Sequence, residues 1–424
     1  MLKVSKYTIT APFEDGAALY NSFNGAFAIL DKAHADFFGM LPGCFDEGSD
    51  HFVSELNSAG FLTDSSTNEF EMALAASRIA RFAGDEFCLT IAPTTVCNFS
   101  CSYCYEQGIN QIPSGFSYVD TLYGYIKRKC GKHKKVAIYW YGGEPLLATN
   151  VITELTDILL ADSDIASLRA SVITNGFYLD EKTCHLLKEA KVESIQVTLD
   201  GPKLVHDARR HLRSGSGTFD TIISNLKHAV QFFKIYIRVN LDKCNSKSAL
   251  ELFDELEAAG LKEKIVLYTA MVDSVSGCYG KCMSTSQYVG ADLDFSRAAI
   301  KKGFSISLLN SLSIGICGAV SGNSVVVDPS GRLYKCWDEV CRLSCSFASI
   351  TSEECSNQSY AKWINYDPPH GECENCSVFP VCMGGCPKER MSRDTSNCDP
   401  IRYSIQEKIR LRALLHRMKG GRNA

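Results

Sequence analysis

Cys97-Asn98-Phe99-Ser100-Cys101-Ser102-Tyr103-Cys104 follows the apolar run Phe87 to Ile91, and its three cysteines decide how the rest of the chain is read. A CxxxCxxC run after a strand can hold a cubane 4Fe-4S cluster by three thiolates. Each iron wants one ligand, and four cysteines are the usual complement. With three, one iron stays open to an outside ligand, which makes the site a place of reaction rather than of electron storage. The alternative is a zinc knuckle or structural thiols. Zinc favours paired CxxC units or Cys/His mixtures with four protein ligands, and the next histidine, His133, lies far down the chain.

With Tyr103 as the aromatic, the string resembles the CxxxCx(aromatic)C hallmark of the radical S-adenosylmethionine (radical SAM) enzymes. The resemblance implies that the open iron binds the amino and carboxylate groups of SAM. Reductive cleavage then yields a deoxyadenosyl radical that abstracts hydrogen. Cys97, Cys101 and Cys104 are thus expected as catalytic cluster ligands, with an electron donor such as flavodoxin or ferredoxin as partner.

Around this string, strand-like runs recur at Phe87 to Ile91, Val136 to Tyr141, Ala170 to Thr174, Ser194 to Leu199, Ile235 to Val239 and Ile265 to Tyr268. Helical stretches lie between them. Six βα units predict a parallel sheet with helices outside and right-handed crossovers. That is similar to the partial (β/α)6 TIM-like barrel of the radical SAM family, here over residues 86–273, and gives an α/β fold class. Chemistry in such barrels gathers at the C-terminal strand ends. The second strand ends in Gly142-Gly143-Glu144-Pro145, and the family's GGEP string contacts the SAM amino group. Thr174 and Asn175 end the third strand, Thr198 and Asp200 the fourth, and Arg238 lies near the end of the fifth. Short polar side chains there suit ribose hydroxyls or the methionyl carboxylate, and arginine can pair with that carboxylate bidentately. Each also has a reading as a cap or turn former.

Residues 1–81 read as a first unit. Strands are expected at Lys6 to Ile9 and Ala26 to Leu30, with the turn signal Asn24-Gly25 before the second. Asp31 is placed to cap a helix that carries Phe37, Phe38 and Leu41 and stops at Pro42. A second helix runs from His51 to Ala59. The pattern resembles the winged-helix-like peptide-recognition units that accompany peptide-modifying enzymes; the alternative is a plain cap on the barrel.

Residues 277–424 are rich in cysteine and turns and close with an amphipathic helix from Ile401 to Met418. Ten of the chain's twenty cysteines lie between Cys317 and Cys398. Clustered thiols in a reducing cell usually mean metal. Cys317-x13-Gly331-x4-Cys336, then Cys373-x2-Cys376-x5-Cys382-x3-Cys386 and Cys398, is similar to the seven-cysteine SPASM domain. By that resemblance Cys373, Cys376, Cys382 and Cys398 hold a distal auxiliary cluster and Cys317, Cys336 and Cys386 a proximal one, giving three 4Fe-4S clusters in all. Cys278, Cys282, Cys341, Cys345 or Cys355 supplies the proximal cluster's fourth ligand, or its iron is open to a substrate thiolate.

The rest of the composition narrows the class. A net charge of −4 gives no global field for nucleic acid or anionic membrane. No apolar run approaches the ~20 residues that span a bilayer, and the first residues lack an apolar signal core. A cytoplasmic location is the expectation. SPASM proteins mostly modify peptides, so the expected activity is a thioether crosslink in a ribosomally synthesised precursor peptide. Alternatives are a carbon–carbon crosslink, or formylglycine formation of the anaerobic sulfatase type. The sulfatase branch has Asp directly after the cysteine matching Cys336, where this chain has Trp337 and then Asp338. An iron–sulfur carrier without turnover is a further alternative, although it would need no SAM pocket.

Overall fold

The computed structural model describes the chain apart from residues 47, 49, 107, 110, 114–117, 132–133, 273–279, 310–316, 353–356, 393–397 and 421–424. Two compact units emerge. The first joins Met1–Phe82 to Ser307–Cys317 and Tyr366–Ala424, and the second joins Ala83–Ile306 to Gly318–Asn365. This division by contacts runs differently from the three consecutive segments read along the sequence. Among the described residues no helix is long and apolar enough to cross a membrane.

The first unit opens with β1 (Leu2–Val4), β2 (Thr8–Phe13), β3 (Gly16–Asn21), β4 (Phe27–Leu30), α1 (Lys32–Met40), α2 (His51–Ser58), β5 (Leu62–Asp64) and α3 (Glu69–Phe82). β2, β3 and β4 form an antiparallel meander, and β1 pairs with β5. Two strands are expected here from the sequence; β1, β3 and β5 are additional. Asp31 caps α1 as expected, accepting from the His34 amide at 2.9 Å. Asp50 caps α2 in the same way, at 2.8 Å from the Phe52 amide. The C-terminal helix Ile401–Met418 lays Ile405 and Ile409 against Ile9, Ala11 and Tyr20. That contact ties the end of the chain to its beginning.

The second unit is built on β6 (Glu86–Ile91), α4 (Val119–Cys130), β7 (Lys134–Trp140), α5 (Thr149–Ala161), β8 (Ile165–Thr174), α6 (Glu181–Glu189), β9 (Val192–Thr198), α7 (Lys203–Arg209), α8 (Phe219–Ala229), β10 (Lys234–Leu241), α9 (Leu252–Ala258), β11 (Ile265–Met271), α10 (Thr285–Lys301) and β12 (Ser305–Ile306). β13 (Ser324–Val327), β14 (Arg332–Tyr334) and β15 (Ala348–Ser349) follow. The strand order is β12-β11-β10-β9-β8-β7-β6-β13-β14-β15. β6 to β12 are parallel, each beside its predecessor. A doubly wound sheet reverses its order part-way; this one does not, which is the winding of a barrel. α10 and β12 extend the alternation past Asp273, where the sequence reading ended it. β13 adds parallel to the far side of β6, with Val325 opposite Leu89.

The two faces of the sheet differ. Ile195, Val197, Ile235, Ile237, Val239 and Leu267 are buried, in one core with Leu226, Phe253 and other apolar residues of the surrounding helices. Alternate residues, pointing to the other face by the two-residue period of a strand, are polar or aromatic: Ser194, Gln196 and Thr198 on β9, Tyr236 and Arg238 on β10, Tyr268 on β11.

Candidate active site

The three-cysteine loop leaves the end of β6 and is strapped by residues 209–213. The Ser100 amide donates to the His211 carbonyl at 2.9 Å, Ser102 to Arg209 at 3.0 Å, and Arg213 to Asn98 at 3.0 Å. Arg213 Nε also donates to the Cys97 carbonyl at 2.7 Å. Cys101 is buried, and Cys97 and Cys104 are half-buried. Burial pushes the Cys97 thiol up to about 12, and the negative fields of Glu144, Cys101 and Cys104 add to it, against one bond from the Phe99 amide. Burial and Glu106 push Cys104 up to about 11. Three thiols in one another's field, withheld from water, ionise together only against a positive metal centre. Among the described residues no three Cys, His, Asp or Glu side chains converge as a single-ion site requires. A cubane does not ask for that, because each thiolate takes a separate iron.

Gly142-Gly143-Glu144-Pro145 fastens the chain that leads into this loop. The Tyr141, Gly143 and Glu144 amides donate to the carbonyls of Ile91, Thr94 and Val96 at 2.9, 3.2 and 2.9 Å. Gly142 has φ +114°, and a Cβ on Gly143 would lie 2.4 Å from the Val96 carbonyl oxygen. The close approach that requires glycine is thus to the chain's own backbone. The Glu144 carboxylate is fully buried. It accepts from the Leu146 amide at 3.0 Å, the Thr174 hydroxyl at 2.6 Å and the Asn175 amide at 2.7 Å. Burial raises its pKa, and those three bonds oppose the rise. Pro145 opens the short turn Pro145–Ala148. Asn175 Nδ2 bonds Asn98 Oδ1 at 2.8 Å and lies 4.0 Å from Cys97 Sγ. The ends of β7 and β8 therefore meet at Cys97, with Glu144 and Thr174 committed to each other.

On the other flank, Tyr103 enters a buried network. Its hydroxyl donates to Asp200 Oδ2 at 2.5 Å and accepts from Arg210 Nη1 at 2.8 Å and Asn240 Nδ2 at 3.0 Å. Asp200 also accepts from Arg209 Nε at 3.3 Å and the Asn240 amide at 3.1 Å. Arg209 reaches Asp242 at 2.7 Å. Both oxygens of Asp200 are thus taken by protein donors. Arg238 Nε donates to Asn240 Oδ1 at 2.8 Å, and Thr198 is buried in register beside Arg238.

Arg209, Arg210 and Asn240 were missed by the sequence reading. Burial works against the charge of Arg210, but Cys101, Tyr103 and Asp200 outweigh it and raise its pKa. Its Nε is buried with no hydrogen-bond partner. The one sequence signal was the pair Arg209-Arg210 shortly after Asp200-Gly201. Arginine is ordinarily solvated, so nothing in the spacing marked these two as interior.

The other cysteines are divided between the two units. In the first, Cys373 is raised by burial and by Cys376 and Cys398, with Arg390 opposing. Cys382 is pushed up to about 11 by burial, then Asp399, with Cys373 and Cys376 adding. Arg402 Nη1 lies 2.9 Å from Cys398 Sγ. Cys373 thus feels the charge of Cys376 and Cys398, and Cys382 that of Cys373 and Cys376. Cys317 and Cys386 are exposed in the same unit. Cys336 follows β14 in the second unit, and Cys341 and Cys345 pack near Val340 with Trp337. Cys282 is half-buried, and Cys278 and Cys355 lie outside the described residues.

Comparison with known proteins fits this geometry. The Radical SAM superfamily matches residues 91–256, which contain every residue of the cysteine loop and the strand-end network. This stretch is a radical SAM domain. The chain accordingly carries the domain of a superfamily of enzymes whose chemistry uses SAM and a 4Fe-4S cluster. It is similar to the cysteine-type anaerobic sulfatase-maturating enzyme of Clostridium perfringens, 24% identical over 73% of this chain and 90% of that one. It is also similar to the radical SAM cyclopropyl synthase TigE of Paramaledivibacter caminithermalis, 22% identical over 91% and 89%. Among solved structures, Streptococcus suis SuiB bound to precursor peptide SuiA has the same fold at a TM-score of 0.53, 15% identity and coverage of 94% of this chain and 98% of that one. The radical SAM domain therefore sits on the parallel-sheet core of that group.

Proposed function

We propose that this radical SAM enzyme modifies a ribosomally synthesised precursor peptide, joining a cysteine sulfur to a carbon of another residue as a thioether. The observation that carries the radical reading is the buried three-thiol loop, held between the Glu144–Asn175 cluster and the Tyr103–Asp200–Arg210 network. When bound, SAM and the 4Fe-4S cluster supply a deoxyadenosyl radical that abstracts hydrogen from the acceptor carbon. Cys97, Cys101 and Cys104 hold the cluster, and Gly142 to Pro145 keep their loop seated. Arg210, with a free buried Nε, is suited to the SAM carboxylate, and Arg238 is the second candidate. Thr198 and Asn175 line the same strand ends. A peptide substrate is supported by the likeness to SuiB, which extends over both units.

The finer parts of the reading follow from the sequence. Residues 1–81 serve as a winged-helix-like peptide-recognition unit, and residues 277–424 as a SPASM domain. Cys373, Cys376, Cys382 and Cys398 hold its distal cluster, and Cys317, Cys336 and Cys386 its proximal one. Flavodoxin or ferredoxin supplies electrons, in the cytoplasm.

The C. perfringens relative favours formylglycine formation as a second reading, and Asp338, whose charge reaches the Tyr141 phenol, is the acid–base group it would need. TigE favours carbon–carbon bonding. The test uses a peptide encoded beside this protein, with reduced, reconstituted enzyme and SAM. A thioether product loses two hydrogens and one alkylatable thiol. Loss of two hydrogens with every thiol still alkylatable supports carbon–carbon bonding, and an aldehyde in place of a cysteine or serine side chain supports formylglycine.

A further inference from the structure

The inner face of the parallel sheet leaves a space that packing does not fill. Barrels of this winding usually fill their interior with Val, Ile and Leu. Here a cavity of about 310 Å³ remains. Tyr139, Tyr236, Tyr268 and Trp337 give it aromatic walls, Ser171, Ser194 and Gln196 give it polar groups, and none of its lining residues is charged. Strand register fixes its depth. Tyr236 stands opposite Gln196, while Arg238 stands opposite both Thr198 and Tyr268. Gln196 and Tyr236 therefore lie two residues before Thr198 and Arg238 on the same face, about 7 Å deeper. The cavity sits one layer beneath the strand ends that carry the cysteine loop and Asp200.

Its hydrogen-bonding character follows from one contact. The Tyr268 hydroxyl donates to Gln196 Oε1, which fixes the amide and leaves both Nε2 hydrogens as free donors. Among the described residues neither Nε2 nor the Tyr236 hydroxyl has a protein partner. The two serines satisfy each other at 2.9 Å. Of the nearby cations, Arg169 gives two bonds to Glu86 at 2.7 and 2.5 Å, Arg238 bonds Asn240 through Nε, and Lys234 Nζ lies over the Tyr236 ring, 5.0 Å from its centroid.

We propose that this cavity receives an uncharged, hydrogen-bond-accepting side chain of the substrate, a carboxamide held by Gln196 Nε2 and the Tyr236 hydroxyl between aromatic rings. The proposal rests on the peptide-modifying reading above and names the residue class that reading leaves open. A carboxylate or ammonium would lose its hydration and meet no opposite charge among the lining residues. An aliphatic side chain would leave the Gln196 and Tyr236 donors buried and unpaired. A carboxamide is planar, accepts from both, and fits between flat rings.

The test uses the reconstituted full chain with SAM at pH 7 and three probes of nearly equal size: N-acetyl-asparagine, N-acetyl-aspartate and N-acetyl-leucine N-methylamides. Saturation-transfer NMR should give the asparagine probe an affinity at least tenfold above the other two. Gln196→Leu and Tyr236→Phe should each weaken the asparagine probe fivefold or more without weakening the leucine probe. An aspartate or leucine probe that binds as tightly as asparagine, no saturable binding at all, or both variants leaving the asparagine affinity unchanged overturns the proposal. Tyr236→Phe deletes a single oxygen, so its result does not hinge on a refolded core. Deoxyadenosine formation by the same wild-type preparation judges the radical reading separately, because probe binding needs no turnover.

Discussion

Replacing Asp200 by asparagine should loosen the loop that carries the cysteines, and the structure sets the size of the effect. Asp200 is fully buried and accepts from Tyr103 at 2.5 Å, Arg209 at 3.3 Å and the Asn240 amide at 3.1 Å. Asparagine keeps one acceptor oxygen, enough for the Asn240 amide, but turns amide hydrogens toward the other two donors. Removing one member of a buried ion pair costs about 3–5 kcal/mol. Arg209 keeps Asp242 at 2.7 Å, so the low end, about 3 kcal/mol, is expected. With a urea slope of about 3 kcal/mol per molar, the midpoint of the reduced, metal-free protein should fall by about 1 M. Tyr103→Phe alone should cost about 1.5–3 kcal/mol, since it deletes a charge-assisted bond. The double variant should fall short of the sum by roughly 1 kcal/mol, because the two groups share one bond. A midpoint shift below about 0.3 M, or strict additivity of the two changes, would refute the view that Asp200 anchors Tyr103.

Three further outcomes follow from the same geometry. Gly143→Ala places a Cβ 2.4 Å from the Val96 carbonyl oxygen; the displaced loop should bind far less iron on reconstitution, read by iron analysis. Arg210→Met should raise the SAM dissociation constant at least tenfold in equilibrium dialysis, about 1.4 kcal/mol, with bound SAM counted per iron so that any loss of cluster from the loosened loop is separated from loss of SAM affinity. Burial, aided by the charge of Arg210, pushes His206 down to about 3. The unfolded chain takes up this proton near pH 6.5 and the folded chain does not, so stability is whole above that pH and falls by up to ~1.4 kcal/mol per unit below it. Urea midpoints of His206→Gln between pH 7 and pH 5 should show a correspondingly shallower fall than wild type.

Much of the second unit was legible because its strands bury one face under helices. Phe87 to Ile91 was read within one residue of β6, and the closing helix Ile401–Met418 was read at its observed bounds. β3 escaped because Gly-Ala-Ala-Leu-Tyr-Asn has little β-branched character and becomes a strand by pairing on both sides, with β2 and β4. β13 escaped because its partner β6 lies more than 200 residues earlier, and local pattern carries no trace of such a pairing. That pairing, together with Ile405 and Ile409 packing on the N-terminal strands, explains why compact units cut across the order of the chain. In the site, the cysteine loop and GGEP were visible as strings, since each acts through contiguous backbone. The Tyr103–Asp200–Arg210 network was not, because turns after β9 and β10 bring its members together from positions up to 137 residues apart.

The most direct measurement is the iron content and SAM cleavage of the variant in which Cys97, Cys101 and Cys104 are all alanine, beside wild type, after anaerobic reconstitution and reduction. Wild type should hold about twelve irons in three cubanes and form deoxyadenosine, and the variant should hold about eight and form none. Equal iron in the two proteins, zinc in place of iron in the wild type, or deoxyadenosine from the variant would contradict the account.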